Sequence, residues 1–185
     1  MPFGRPQKPK APFDEKALHE YALKSLGNRM RSEADLTRLM RAKVEPDELG
    51  SAKIAAVVKR LKEYGYLDDT AYADNYVQLR QRNEKHGERR VRQDLGQKGV
   101  SKQIINDTIE ARYADISEEA LARQYLERKR IRKPENDKET ARVMRRLVAA
   151  GFSVGVIYKI LRQWEVPDET LAALDNLEDE AAAEE

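Results

Sequence analysis

The side chains with the clearest chemical potential in this sequence form two clusters of basic residues. Seven basic residues accompany three acids between Arg80 and Lys98, and ten accompany four acids between Arg123 and Arg146. Guanidinium groups bind phosphates and carboxylates through a planar pair of donors. The clusters predict a surface that binds nucleic acid, an acidic patch on a protein, or both.

Sixteen of these residues are candidates for the binding surface. They are Arg80, Arg82, Lys85, Arg89, Arg90, Arg92, Lys98, Arg123, Arg128, Lys129, Arg130, Arg132, Lys133, Arg142, Arg145 and Arg146. Four acids stand at spacings that allow ion pairs with several of them: Glu84, Glu88, Asp94 and Glu127. Such pairs would leave an ordinary solvated surface. Because the basic residues concentrate around two helix junctions, we favour a binding surface.

Side chains suited to catalysis or metal binding are few. The chain has no Cys and only two His, His19 and His86, without carboxylates at metal-ligand spacing. We interpret both His as satisfied or solvated. No Gly-x-x-x-x-Gly-Lys loop for nucleotide phosphates occurs. The acids Asp68 and Asp69 follow a helix-ending glycine, which favours helix capping over metal binding. The sequence predicts a protein that is not an enzyme and uses no metal or cofactor.

Charge is divided unevenly along the chain. From Glu165 onwards there are nine acids and no Lys or Arg, so residues 1–164 carry +11 although the whole chain carries +2. A basic body of this size attracts nucleic acid. The acidic tail has two interpretations. It solubilises the chain, which we favour, or it folds over the basic body and competes with DNA.

The sequence contains no signal for a membrane or for secretion. No apolar run approaches the roughly 18 residues that a membrane span requires. The Pro- and Lys-rich residues 1–12 lack the apolar stretch of a signal peptide. We predict a cytoplasmic protein.

The strongest organising signal is an internal repeat of one helix junction. Gly99 and Gly151 each follow a helix-face Leu by four residues, and each precedes an apolar residue, Val100 or Phe152. Glycine can adopt the left-handed conformation that ends a helix, and the apolar residue then folds back onto the Leu. The two junctions indicate a repeated helical unit.

The first unit departs from this pattern. Lys43 stands where the other units have glycine, so its turn must be built differently. Gly65 ends the long third helix, and we expect Tyr66 to fold back onto Leu61 by the same logic.

Capping residues indicate where the helices begin. Ser32, Asp68, Ser101 and Ser153 each stand at a predicted N-cap. The segment Glu45-Pro46-Asp47-Glu48, after which the third helix begins, resembles an N-cap with Pro at the first helical position.

Together these signals predict an all-α protein of three tandem three-helix repeats, forming an elongated, curved, solenoid-like molecule. The predicted helices span 14–27, 32–43 and 47–64, then 68–83, 87–98 and 101–113, then 117–132, 137–150 and 153–164. The corresponding domains are a Pro/Lys-rich extension (1–13), three repeats (14–66, 67–114 and 115–165) and an acidic tail (166–185).

The aromatic residues are assigned mainly to packing. Tyr72, Tyr76 and Tyr125 occupy core-face positions, which favours packing over stacking on bases. Trp164 ends the last helix, and we expect it to pack there. Leu171 lies in an apolar pattern that predicts a short helix in the tail.

Several motifs, taken in order, resemble the RecX family. They are Arg31-Ser32-Glu33-Ala34-Asp35-Leu36, Gly65-Tyr66-Leu67-Asp68-Asp69, Gly87-Glu88-Arg89-Arg90-Val91-Arg92, Lys98-Gly99-Val100, Arg145-Arg146-Leu147 and Gly151-Phe152-Ser153. The resemblance covers roughly residues 15–164. RecX proteins are bacterial modulators of the RecA recombinase.

The resemblance implies a regulator without catalytic activity of its own. It would bind in the helical groove of the RecA filament on single-stranded DNA and suppress strand exchange and ATP hydrolysis. Its setting would be homologous recombination, DNA repair and the SOS response. We expect a monomer that prefers assembled filament to free recombinase. Double-stranded DNA is a second candidate ligand.

Two other functions fit the same basic clusters. One is an independent DNA-binding protein whose three-helix units act as helix-turn-helix readers, which would require base-reading residues on a projecting helix. The other is a helical adaptor whose basic faces bind an acidic protein partner. Salt-dependent DNA binding without recombinase would separate these possibilities.

Overall fold

The structure is a computed structural model that describes residues 11–169 and 171. Every regular element within these residues is helical, which confirms the predicted all-α class. The α-helices are α1 (Glu15–Asn28), α2 (Glu33–Arg41), α3 (Glu48–Glu63), α4 (Asp69–Leu79), α5 (Glu88–Gln97), α6 (Lys102–Tyr113), α7 (Glu118–Arg128), α8 (Asp137–Ala149) and α9 (Val154–Gln163). A π-helical turn, Arg80–Glu84, continues α4.

Each predicted helix has one counterpart, and most ends agree to within two residues. Helix α4 is shorter than predicted because the chain changes to the π-helical turn. Helix α7 ends at Arg128 because Arg130 adopts the left-handed conformation with a φ of 52°. The amide of Ile131 then bonds to the carbonyl oxygen of Leu126 at 2.9 Å. A left-handed residue that is not glycine leaves no clear signal in the sequence.

Packing divides the chain into two compact units. Among the described residues, the first contains those up to Tyr72 together with Lys98–Val100, and the second contains Ala73–Gln97 and those from Ser101 onwards. The boundaries of the three predicted repeats stay a prediction.

The core of the first unit is built by α1, α2 and α3. Leu18, Leu36, Met40, Val57 and Leu61 are completely buried in one cluster. Leu36 and Met40 on α2 are four residues apart, and so are Val57 and Leu61 on α3. This spacing places both members of each pair on one helix face. Burial of each such side chain contributes about 1.5–3 kcal/mol, so the cluster is the main stabilising element of this unit.

In the second unit, α7, α8 and α9 enclose an apolar cluster. Leu147, Phe152 and Ile157 are among its most deeply buried members. Leu171, which belongs to the predicted tail, is also buried in this cluster. Asp168 and Glu169 of this tail are helical. The predicted tail-helix residues Leu174 and Leu177, and residues 1–10 of the predicted extension, lie outside the described part of the chain.

The predicted glycine junctions at Gly99 and Gly151 are confirmed. Both glycines have positive φ values, 75° and 91°, and the apolar residues that follow, Val100 and Phe152, are buried. Lys43 does not take a left-handed conformation. Its amide bonds to the carbonyl oxygen of Met40, so this turn is built differently, as expected.

The prediction for Tyr66 is confirmed for its backbone but not for its side chain. The amides of both Tyr66 and Leu67 bond to the carbonyl oxygen of Leu61, at 2.9 and 3.2 Å. The side chain of Leu67 enters the core, whereas that of Tyr66 is 61% exposed. The apolar contact that closes this turn is thus made one residue later than the motif suggests.

Two predicted N-caps also need correction. Ser153 stands at the N-cap of α9 as predicted, but its hydroxyl makes no capping bond, because it donates to the carboxylate of Glu118 at 2.6 Å. Helix α3 is capped by Asp47 rather than Glu45, since the Asp47 carboxylate accepts the amide of Gly50 at 2.6 Å. The predicted caps Ser32, Asp68 and Ser101 accept amide hydrogen bonds and are confirmed.

Candidate nucleic-acid interface

The sixteen candidate basic residues fall into two groups according to whether an acid neutralises them. Seven form an ion pair with a carboxylate: Arg80, Arg90, Arg92, Lys98, Arg123, Lys129 and Lys133. The others have no ion pair within the part of the chain that the structure describes: Arg82, Lys85, Arg89, Arg128, Arg130, Arg132, Arg142, Arg145 and Arg146. Only members of the second group can meet a phosphate without first giving up a carboxylate partner.

A buried carboxylate organises the paired arginines near α5. Asp94 is 7% exposed, and it accepts the hydroxyl of Tyr76 at 2.9 Å. The Nε of Arg90 lies 3.0 Å from Asp94 without forming an aligned hydrogen bond. Arg80 donates to the Tyr76 hydroxyl at 2.8 Å and lies over its ring. These contacts give Arg80 and Arg90 a structural role. They fit the interpretation that acids such as Asp94 form ion pairs with some of the basic candidates.

Arg92 and Lys129 are also held by carboxylates. Arg92 bonds to Glu88 at 2.8 Å and to Asn106. Lys129 pairs with Glu84. Burial alone would raise the pKa of Glu84, but the hydrogen bond and the charge of Lys129 lower this pKa below its ordinary value.

Helix α8 presents the densest group of unpaired arginines. Arg142, Arg145 and Arg146 are exposed, whereas Val143 and Leu147 on the same helix are buried. With 3.6 residues per turn, the three arginines share an arc of about 100° opposite the core. Three guanidinium groups on one face can contact successive phosphates of a nucleic-acid strand.

A second unpaired group follows the end of α7. Arg128, Arg130 and Arg132 are exposed, and the left-handed backbone at Arg130 reverses the chain between its neighbours. The free carbonyls at the end of a helix attract cations, which favours basic residues at this position. Together with α8, this segment places six unpaired arginines in the region predicted as the third repeat.

The two histidines are neither fully satisfied nor simply solvated, which corrects the prediction. The Nε2 of His19 and the Nδ1 of His86 are buried and have no hydrogen-bond partner in the described residues. Burial lowers the pKa of His86, and the charge of Arg80 lowers it further. Its backbone carbonyl accepts the hydroxyl of Tyr113 at 3.0 Å, which fixes the loop.

The acid pair Asp68 and Asp69 caps helices as predicted. Asp68 accepts the amide of Ala71 at 3.0 Å, and Asp69 accepts the amide of Glu33, the first residue of α2, at 2.7 Å. No cluster of three or more potential metal ligands occurs among residues 11–169 and 171.

The aromatic predictions are confirmed in part. Tyr72 and Tyr125 are buried, whereas Tyr76 is half-buried with its hydroxyl in the Asp94 network. Two aromatic side chains were not identified as surface features: Tyr64 and Tyr66 are 67% and 61% exposed. Their position on either side of a helix-ending glycine, away from any core face, was the available signal.

These features define a helical protein of repeated junctions with an arginine-rich surface. None of the described helices is long and apolar enough to cross a membrane.

Comparison with known proteins shows the family to which this helical protein belongs. Residues 68–109 match the family model for the second three-helix domain of RecX. The regulatory protein RecX of one Thermus thermophilus strain is 36% identical over 150 residues, which cover 80% of this chain and 91% of the relative. That of Geobacillus kaustophilus is 32% identical over 148 residues, 79% of this chain. The match spans about half of this longer relative, 53% of its length.

A solved structure shows the same fold. A crystal structure of regulatory protein RecX aligns with a TM-score of 0.65 at 24% identity, covering 80% of this chain and 73% of the other. The chain belongs to the RecX family. Members of this family are regulatory proteins rather than enzymes, which confirms the predicted non-enzymatic class.

Proposed function

We propose that this protein regulates the RecA recombinase by binding the RecA filament on single-stranded DNA. Bound there, it lowers strand exchange and ATP hydrolysis. The observation that supports this proposal most directly is the unpaired set Arg142, Arg145 and Arg146 on the outward face of α8. In water-exposed positions such guanidinium groups bind phosphate, and they also bind carboxylates on a protein.

Both kinds of ligand are present on a nucleoprotein filament. A filament presents phosphates and protein carboxylates side by side, so one arginine surface can contact both. The protein would act as a cytoplasmic monomer in recombination, DNA repair and the SOS response, with double-stranded DNA as a second ligand. Preference for assembled filament follows if the arginine surface must span adjacent subunits.

Co-sedimentation with recombinase filaments on single-stranded DNA tests this proposal. Arg142→Gln/Arg145→Gln/Arg146→Gln should weaken binding at least tenfold, because three phosphate or carboxylate contacts are lost. The matched control is Arg92→Gln/Arg123→Gln/Lys133→Gln, which removes three equal charges that already have acid partners. Equal binding by the two triple variants would contradict the assignment to α8. Binding to DNA alone, with no preference for filament, would favour the independent DNA-binding alternative.

A further inference from the structure

Two helix-ending turns in this chain each pack against the start of another helix. The carbonyl oxygen of Lys98, immediately before Gly99, accepts the hydroxyl of Ser32 at 2.5 Å, and Ser32 is the N-cap of α2. The carbonyl oxygen of Ala150, immediately before Gly151, accepts the amide of Gly87 at 2.9 Å, and Gly87 precedes α5. In both cases the residue that precedes a helix, Ser32 or Gly87, donates a hydrogen bond to the carbonyl oxygen of the residue that precedes a glycine.

Glycine is required in both docked turns because the two segments touch. A Cβ added to Gly99 would overlap the Cβ of Ala34, in the first turn of α2. A Cβ added to Gly151 would overlap the backbone of Arg90, in the first turn of α5. The contact is also electrostatically favourable, since free carbonyls at a helix end carry partial negative charge and the start of a helix carries partial positive charge.

The turn at Gly65 is built in the same way. Gly65 has a φ of 71°, and its amide bonds to the carbonyl oxygen of Lys62 at 3.0 Å. The amide of Tyr66 bonds to the carbonyl oxygen of Leu61 at 2.9 Å, as the amide of Phe152 bonds to that of Leu147 in the Gly151 turn. The Gly65 turn thus has the same pattern of backbone hydrogen bonds as the Gly151 turn.

Unlike the other two turns, the Gly65 turn is uncovered. Apart from Gly65 and its neighbours Tyr64 and Tyr66, no atom of a described residue lies within 4 Å of the position that a Cβ on Gly65 would occupy. The carbonyl oxygen of Tyr64, which corresponds to the accepting carbonyls of Lys98 and Ala150, receives no backbone hydrogen bond from a described residue outside the helices. The rings of Tyr64 and Tyr66 are exposed and lie edge to face, with centroids 6.5 Å apart.

The surroundings favour a protein ligand over nucleic acid. Two exposed tyrosines beside an open backbone are typical of the centre of a protein interface. The edge-to-face rings do not form parallel walls for a base. Glu63 precedes the turn and Asp68 follows it closely. The cations before the turn, Arg60 and Lys62, already pair with Glu15 and Glu33. Phosphate would therefore find no unpaired cation of these two beside the turn.

We propose that the Gly65 turn, consisting of Tyr64, Gly65 and Tyr66, is a docking surface for the first turn of a helix in a protein partner. The N-cap of that helix donates to the Tyr64 carbonyl, and a small side chain in its first turn meets Gly65. The two tyrosine rings pack around it. This inference rests on the proposed function for the identity of the partner, a subunit of the recombinase filament.

The substitution Gly65→Asn separates docking from folding. Asparagine tolerates the left-handed conformation, and its side chain enters open space in the free protein. In the docked complex that side chain would block the close approach of the partner helix. We expect at least tenfold weaker co-sedimentation with filament and an unchanged helical circular dichroism spectrum. The matched control is Leu49→Asn, which replaces a 64% exposed residue at the other end of α3 and should bind as the wild type does.

Photo-crosslinking then identifies what covers the turn. With p-benzoylphenylalanine in place of Tyr66 in the full chain, mass spectrometry should find crosslinks to the first turn of a recombinase helix. Filament binding that is unaffected by Gly65→Asn, or crosslinks only to DNA, would overturn the docking surface and leave the proposed function standing. A wild-type chain that fails to co-sediment with filament would contradict the proposed function itself, and with it this choice of partner.

Discussion

The amide of Gly87 donates a 2.9 Å hydrogen bond to the carbonyl oxygen of Ala150, so the segment before α5 touches the end of α8 through its backbone. Glycine is needed on both sides of this contact. A Cβ on Gly87 would overlap the carbonyl of Gly151, and a Cβ on Gly151 would overlap the backbone of Arg90. The contact joins the start of α5 to the end of α8 within one packing unit.

Substitution of Gly151 should therefore destabilise the protein strongly. Gly151→Ala places a Cβ against backbone atoms and forces alanine to a φ of 91°. We expect the free energy of unfolding to fall by about 2–5 kcal/mol in urea titrations. Gly155→Ala is the control, because this glycine lies in α9 and no described residue beyond its chain neighbours and its own helix backbone lies within 4 Å of its Cβ position. It should gain about 0.5–1 kcal/mol. Similar stabilities of the two variants would exclude the tight contact.

The half-buried His86 should make stability depend on pH. Burial, followed by the charge of Arg80, holds the pKa of His86 below its ordinary value of 6.5 in the folded protein. Below pH 6.5 the unfolded chain then binds the proton first, so stability is complete above this pH and falls as the pH decreases towards the folded pKa.

Thermal melts at pH 7.5 and 5.5 check this dependence on pH. The wild type should lose more thermal stability between these two values than His86→Gln does. A wild type and a variant that change equally over this range would show that His86 does not contribute.

Asp94 should contribute more to stability than acids in exposed ion pairs. It accepts the hydroxyl of Tyr76 and lies beside Arg80 and Arg90, so Asp94→Ala leaves these groups without their shared partner. We expect a loss of about 1–3 kcal/mol by urea denaturation. The control is Glu63→Gln, because Glu63 and its partner Lys59 are both largely exposed to solvent. A change of equal size in both variants would remove the special role of Asp94.

Salt dependence should distinguish unpaired from paired arginines in DNA binding. Each phosphate contact with single-stranded DNA contributes about 0.7 to the slope of log affinity against log salt. Arg142→Gln/Arg145→Gln/Arg146→Gln should therefore reduce the slope by about 2, measured by fluorescence anisotropy of a labelled oligonucleotide. The triple variant of the paired residues Arg92, Arg123 and Lys133 should keep most of the wild-type slope. Equal slopes for the two variants would mean that general charge, rather than the α8 surface, binds the strand.

Much of the fold was predictable because it depends on local rules. The buried faces of the helices show the 3.6-residue period, and Gly99 and Gly151 end their helices as expected. The errors arose where tertiary contacts replaced local ones. Ser153 bonds to Glu118, which is 35 residues away, and Arg130 adopts a conformation usually reserved for glycine.

The candidate site was less predictable than the fold. The sequence identified the basic clusters, but ion pairing depends on residues far apart in the chain. Lys129 meets Glu84, and Lys133 meets Glu165, so their partners could not be inferred from helical spacing. The exposure of Tyr64 and Tyr66 likewise depends on the turn, in which Leu67 takes the buried position instead.

The most direct test of the proposed function is the single-stranded-DNA-dependent ATP hydrolysis of RecA, titrated with this protein. We predict that the wild type suppresses hydrolysis at substoichiometric levels. Arg142→Gln/Arg145→Gln/Arg146→Gln should require at least tenfold more protein, and the triple variant of paired residues should act as the wild type does. Hydrolysis that stays unchanged at saturating wild-type protein would contradict the proposal that this protein regulates the recombinase filament.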